Sequence, residues 1–260
     1  MELLFYLPVW QGLIIIIIIC WALSAVVVGL VRKLIEEKLT KQHERVGRLL
    51  FRVSAGLIAL LISLSYANER VEYNRVRDSL EVESSLIANV YAKLGVFNSK
   101  EAEAIRQELI MYVDYTIEDE WKEANNNPYF SKITHTIMEI NRLSLRLPTD
   151  NEEEKIAKQF IMNDLNEVAK LMQIRFFAKH ALFPFLVYIL GAGILFMWIF
   201  FAVYKIDLLT MIFLSLYNTF LMVLIYFIIV LSNPMVGTLK INADAFIILK
   251  TKGFDKIKNE

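Results

Sequence analysis

Hydrophobic side chains fall along this chain in two patterns: unbroken runs, and stripes that return every three or four residues. The first run covers residues 12–31, twenty positions without a charge. At about 1.5 Å per residue it reaches across a bilayer core of about 30 Å. Its length and its acidic, lysine-free and arginine-free flank argue against a cleaved leader, and Tyr6 and Trp10 suit an interfacial belt. Residues 53–67 form a shorter run, which Leu49, Leu50 and Phe51 extend if Arg52 snorkels toward the interface. Residues 181–204 and 208–231 are separated only by Lys205, Ile206 and Asp207, so they predict a tight helical hairpin. Pro184 fits a first helical turn, and Gly191 and Gly193 permit close packing. Four spans are expected, at about 12–31, 49–67, 181–204 and 208–231.

Stripes replace runs between residues 68 and 180. Leu80, Ile87, Tyr91 and Leu94 keep helical spacing, which predicts that the second span continues outward as one long helix. Asn98 with Glu101 resembles a capping box that opens the next helix. On it Ile105, Leu109, Tyr112 and Thr116 form one stripe, and Ile110, Val113, Ile117 and Trp121 form its neighbour. Asn125, Asn126 and Asn127 interrupt it, and Pro128 suits the first position of another helix. Thr149 and Glu152 read as a second capping box before a final helix that runs to the third span. The expected fold is an all-α membrane protein: four transmembrane helices, with a helical extramembrane domain between spans two and three. Its parts are a helix pair with a basic loop (1–67), the water-facing domain (68–180), the transmembrane hairpin (181–231) and a tail (232–260). The long helices after span two and before span three are expected to pack antiparallel.

Composition agrees with a membrane location. Hydrophobic residues make up 56% of the chain, more than a soluble surface of this size can hide. The 28 basic and 28 acidic residues cancel, so no polybasic character points to nucleic acid. The single cysteine, Cys20, excludes an intramolecular disulfide and a cysteine zinc site. Basic residues crowd the first loop (Arg32, Lys33, Lys38, Lys41, Arg45, Arg48 and Arg52), and none precedes the first span. The positive-inside rule therefore puts that loop in the cytoplasm and residues 68–180 on the extracytoplasmic side of the inner membrane.

No catalytic constellation emerges, and neither an enzyme nor a cofactor is expected. His43, His135 and His180 stand far apart, and no metal-ligand spacing occurs. Asp114, Glu118, Asp119 and Glu120 are either a solvated acidic face or the lining of a cation-attracting vestibule. The domain 68–180 holds 15 basic and 20 acidic residues, net −5. Asn218, inside the fourth span, suits an interhelical hydrogen bond or a pore lining. No span has an ionisable residue at its centre, which disfavours coupled transport and voltage sensing. Gly56, Ala59 and Ser63 give the second span a small face, which suits packing within one subunit or a place near an oligomer axis.

Four segments carry a family resemblance: His43-Glu44-Arg45-Val46-Gly47, Glu83-Ser84, Tyr112-Val113 through Glu120-Trp121, and Asn233-Pro234-Met235-Val236-Gly237. In their order and spacing, over about residues 40–248, the chain resembles the bestrophin-like domain family. Ser84 stands where the family usually has Ala, and Met235 where it has Phe. The resemblance marks Glu83, Tyr112, Trp121, Pro234 and Gly237 as motif residues. It implies a homo-oligomer, a pentamer as in bestrophin channels, with the second span lining an apolar neck. Ile58, Leu61 and Ile62 would then be neck candidates beside the small face. It also implies a cytosolic helical region, opposite to the charge rule. Two functions follow: a cation-preferring ion channel gated by the neck, or a non-conducting sensor or scaffold acting through residues 68–180. The expected partners are membrane lipid, further copies of the chain and inorganic ions.

Overall fold

The computed structural model describes residues 8–120, 129–179, 185–235 and 239–254, apart from the side chains at 119–120, 129–131, 178–179 and 185–186. Among them are the helices α1 (Val9–Ile35), α2 (Lys41–Lys93), α3 (Lys100–Tyr115), α4 (Tyr129–Ser144), α5 (Glu152–Lys179), α6 (Phe185–Phe201), α7 (Leu208–Leu231) and α8 (Asp244–Ile248). No strand occurs among the described residues. The chain forms two compact units: Met1–Tyr73 with Ala181–Leu239, and Asn74–His180 with Lys240–Glu260.

Among the described residues three helices, α1, α2 and α7, are long and apolar enough to cross a membrane. Helix α6 is equally apolar but has 17 residues, and the segment 180–184 before it, with Pro184, lies outside the described residues. Helix α2 is unbroken over 53 residues, as its stripe predicts. That is about 80 Å of helix, more than twice the bilayer core, so part of it must lie outside the hydrocarbon.

In the first unit, packing depends on small residues. The buried positions of α1 are Gly12, Cys20, Ser24 and Val28, a narrow stripe that brings α7 close. The Trp21 indole N–H donates to the Ser215 carbonyl at 3.1 Å and to the Thr219 hydroxyl at 3.0 Å. Where α2 meets the end of α6, a Cβ on Gly47 would fall 2.6 Å from Val203 Cγ1, so only glycine fits. Phe51, Phe201 and Tyr204 stack their rings around this crossing at 5.2–5.8 Å. Arg32 donates to the Tyr204 carbonyl at 3.4 Å, satisfying an acceptor just past the end of α6. Asp207 then opens α7 by accepting the Thr210 amide N–H at 2.8 Å. The short connection between α6 and α7 is the one the hairpin pattern requires.

In the second unit, α2 contributes Val76, Leu80, Ile87 and Val90 to the core, with Leu94 just past its end, and α5 contributes Ile161, Leu165, Val168 and Met172. Two ion pairs define their direction. Glu83 meets Arg175, and ten residues along α2 Lys93 meets Asp164, eleven residues back on α5. The two helices therefore run antiparallel. On α3 and just past it, the stripe Ile105, Leu109, Tyr112 and Thr116 is buried as expected; of its neighbour only Val113 is buried, Ile110 and Ile117 being half-buried. Both helix starts differ from expectation. Ser99, not Asn98, caps α3 by accepting the Ala102 N–H at 3.2 Å. Asn151, not Thr149, caps α5 by accepting the Glu154 N–H, while the Glu154 carboxylate accepts the Asp150 N–H, each at 2.8 Å. In a row of short polar residues several can cap, and the one whose oxygen reaches a free N–H wins. Residues 121–128, which include Trp121, Asn125, Asn126, Asn127 and Pro128, lie outside the described residues.

Residues 240–254 belong to this second unit. Ile241, Ala243, Phe246, Leu249 and Phe254 are all buried, and the Phe254 ring lies 4.7 Å from that of Tyr91. What reads as a tail in the sequence is part of the core.

Candidate functional site

The most distinctive polar feature is a buried triad in the second unit. Glu83 of α2, Tyr112 of α3 and Arg175 of α5 have no solvent exposure. Each stands at a core position of its helix, so helical periodicity directs all three inward. The Tyr112 hydroxyl donates to Glu83 Oε1 at 2.5 Å, and the Arg175 guanidinium donates to Glu83 Oε2. Phe246 of α8 presents its ring face to the guanidinium, 5.5 Å from centroid to carbon. Both carboxylate oxygens thus have a donor, as a buried charge requires. Burial, and then the negative charge of Glu83, push the Tyr112 phenol well above its ordinary range, so it remains a donor. Chemically this is a lock: one carboxylate ties three helices together, and an aromatic ring from the chain's last segment covers it.

Two motif residues of the sequence, Glu83 and Tyr112, meet here. Arg175 and Phe246 escape the motif reading. Arg175 had a signal, since it continues the stripe Ile161, Leu165, Val168 and Met172 into a position where an apolar residue is expected. Trp121 and Gly237 lie outside the described residues, and Pro234 is buried just past α7. Gly47 has the close approach described above.

The second candidate is α2 inside the first unit, where the proposed pore residues divide between two faces. Ile58 and Ile62 are buried in the apolar core with Leu190, Ile194 and Met197 of α6, and Leu61 is half-buried beside them. Ile58 already fills the space over Gly193, whose Cβ would lie 3.2 Å from it. Ile58 is 3% exposed while the next residue, Ala59, is exposed, so the two serve different surfaces. Gly56, Ala59 and Ser63 are exposed, and a Cβ on Gly56 would meet nothing within 4 Å. Ser63 donates its hydroxyl to the Ala59 carbonyl at 2.9 Å. Among the described residues, nothing packs over the small face at Gly56. Val53, Leu57, Leu60 and Leu64 share it, each more than half exposed.

The acidic group also changes character. Asp114 forms an ion pair with Lys250 at 2.7 Å, and the hydrogen bond to Asp114 holds the Lys250 ammonium above its ordinary range. Glu118 is exposed, while the side chains of Asp119 and Glu120 lie outside the described residues. With residues 240–260 included, the second unit carries 19 basic and 21 acidic residues, net −2. Asn218 acts between helices: the Trp198 indole N–H donates to its Oδ1 at 3.0 Å. Among the described residues no group of three or more His, Cys, Asp or Glu side chains is placed to hold a metal ion.

No curated protein and no solved structure matches the chain. The bestrophin-like domain model matches residues 18–246, which takes in most of α1, the triad and the ring of Phe246. By that match over most of its length, this all-helical chain belongs to the bestrophin-like domain family.

Proposed function

We propose that the protein is an oligomeric, multi-pass membrane channel for inorganic ions, with the exposed face of α2 turned toward the axis of the assembly. The observation that carries this reading is the division of α2: one face is built into the chain's own core, and the other, over residues 53–64, is uncharged, small or leucine-rich and exposed among the described residues. Since Ile58 and Ile62 belong to the core, the apolar constriction falls on Leu57, Leu60 and Leu64. A ring of such side chains excludes water until it widens. Membership of the bestrophin-like domain family supports conduction as the role of that ring. The net charge of −2 on the second unit favours cations over anions, by a smaller margin than the −5 of residues 68–180 alone. Asp114, neutralised by Lys250, contributes little, and Glu118 is the exposed acidic group nearest it in sequence.

Planar-bilayer recording of the purified protein tests the proposal. Leu60→Ala should raise the open-state current, and Ile58→Ala should not, because its side chain faces the core. Glu118→Lys should reduce the ratio of cation to anion permeability. Folded, oligomeric protein that stays electrically silent across voltage, pH and calcium would overturn conduction and favour a sensor or scaffold acting through residues 68–180.

A further inference from the structure

Within the first unit a cavity of about 490 Å³ lies between α1, α6 and α7. Ile16 and Cys20 form one wall, Gly191 and Trp198 another, and Ile225 and Tyr226 the third. The described lining is almost wholly apolar: beside the Cys20 thiol and the hydroxyls of Tyr188 and Tyr226 it carries the Trp198 indole N–H, which already donates to Asn218. Water needs two to four polar partners to stay in such a space, and this lining does not supply them. The volume is about three times that of an engineered apolar cavity of roughly 150 Å³ that stays dry and takes up benzene. The rim residues Ile19, Leu23 and Tyr188 are themselves exposed, so the cavity is reached sideways from whatever surrounds the helices.

We propose that this cavity is a binding site for one acyl chain of a membrane lipid. The proposal rests on reading α1, α6 and α7 as membrane-spanning; the medium at the rim is then hydrocarbon. Hydrocarbon is the one material present there that matches an almost wholly apolar lining. A flexible chain, unlike a rigid side chain from a second copy, can enter past Tyr188 and follow the wall to Trp198. Gly191 has open space beside it: a Cβ there would meet nothing within 4 Å, so a larger side chain can start from this position without striking a neighbour.

Trp198 serves as the reporter, because it lines the cavity yet is only 6% exposed. The protein with Trp10, Trp21 and Trp121 replaced by Phe would be placed in phosphatidylcholine vesicles brominated midway along one acyl chain. Strong quenching of Trp198 is expected, and Gly191→Phe should remove more than half of it while the protein still floats with the vesicles. Quenching that Gly191→Phe leaves unchanged, or no quenching in protein that floats, would overturn the site and leave the membrane reading intact. Protein that fails to float would overturn both. As a check that keeps Trp21 and its hydrogen bonds, native mass spectrometry from mild detergent should find phospholipid on the otherwise unaltered subunit and less of it on Gly191→Phe. A bare subunit mass for both would also overturn the site, as would a second copy's side chain found in the cavity.

Discussion

Replacing Arg175 by Met would strand the Glu83 carboxylate in a site with no solvent exposure. Tyr112 would remain as a donor, but the charge would lose the guanidinium that donates to its Oε2. Breaking a fully buried pair in this way costs about 3–5 kcal/mol. Losing the contact of the guanidinium with Phe246 adds about 0.5–2 kcal/mol. For a unit of this size, 3–5 kcal/mol corresponds to a fall in Tm of roughly 10–20 °C. Glu83→Leu combined with Arg175→Met removes the buried charges and leaves the Tyr112 hydroxyl without its Glu83 acceptor, at about 1–3 kcal/mol. Adding Tyr112→Phe removes that as well, and the triple variant should return to within about 2 kcal/mol of the unaltered protein. Thermal melting in detergent, followed by circular dichroism, reads the series. An Arg175→Met protein that melts within about 2 °C of the parent, or a triple variant as unstable as the single one, would refute the argument.

Other expectations follow from particular contacts. The unfolded Tyr112 phenol ionises near pH 10, but the folded one is held higher, so above that pH the folded state binds more protons. Its contribution is complete below about pH 10 and is lost as pH rises toward the folded pKa; Tm should therefore fall less steeply from about pH 8 to about pH 11 in Tyr112→Phe than in the parent. Equal slopes would be inconsistent with that. Gly47→Leu should cost about 1–3 kcal/mol or more by driving α2 off Val203, with partial rescue by Val203→Ala, measured by the same melts. Gly56→Leu should leave the Tm unchanged and alter the oligomer in size-exclusion chromatography; an unchanged oligomer would mean that this face meets lipid. For orientation, cysteines at Gln42 and Glu153 in a Cys20→Ala background should react on intact cells with a membrane-impermeant thiol reagent at Glu153 only. Labelling at Gln42 alone would select the opposite orientation, the one that the family resemblance implies.

Much of the fold could be read from the chain because its determinants are local. Hydrocarbon forces each backbone group to find its partner within the same helix, so an apolar run of sufficient length is a helix whatever surrounds it. The stripe from Leu80 to Leu94 extends the second span for the same kind of reason, since helical spacing alone places those side chains on one face. Glu83 and Tyr112 stand out as motif residues through the family resemblance, and Asn218 stands out as an amide in an apolar run, with an interhelical bond or a pore lining both open until Trp198 is placed beside it.

Only the tertiary structure decided the partners. Glu83 and Arg175 lie 92 residues apart, and nothing local to either says that they meet. Which of Asn98 and Ser99 caps α3 depends on which oxygen reaches a free N–H in the folded turn. Ile58 and Ala59 are neighbours in an apolar run, and periodicity cannot assign one face to the core and the other to the outside until α6 has been placed. The last segment looks like a solvated tail because its lysines dominate its composition. Phe246, Leu249 and Phe254 nevertheless find their places in the second unit, and Lys250 finds Asp114. A helix follows from hydrogen bonds made within four residues along the chain. A buried charge pair or a seated aromatic ring follows from surfaces that exist only after distant helices have packed.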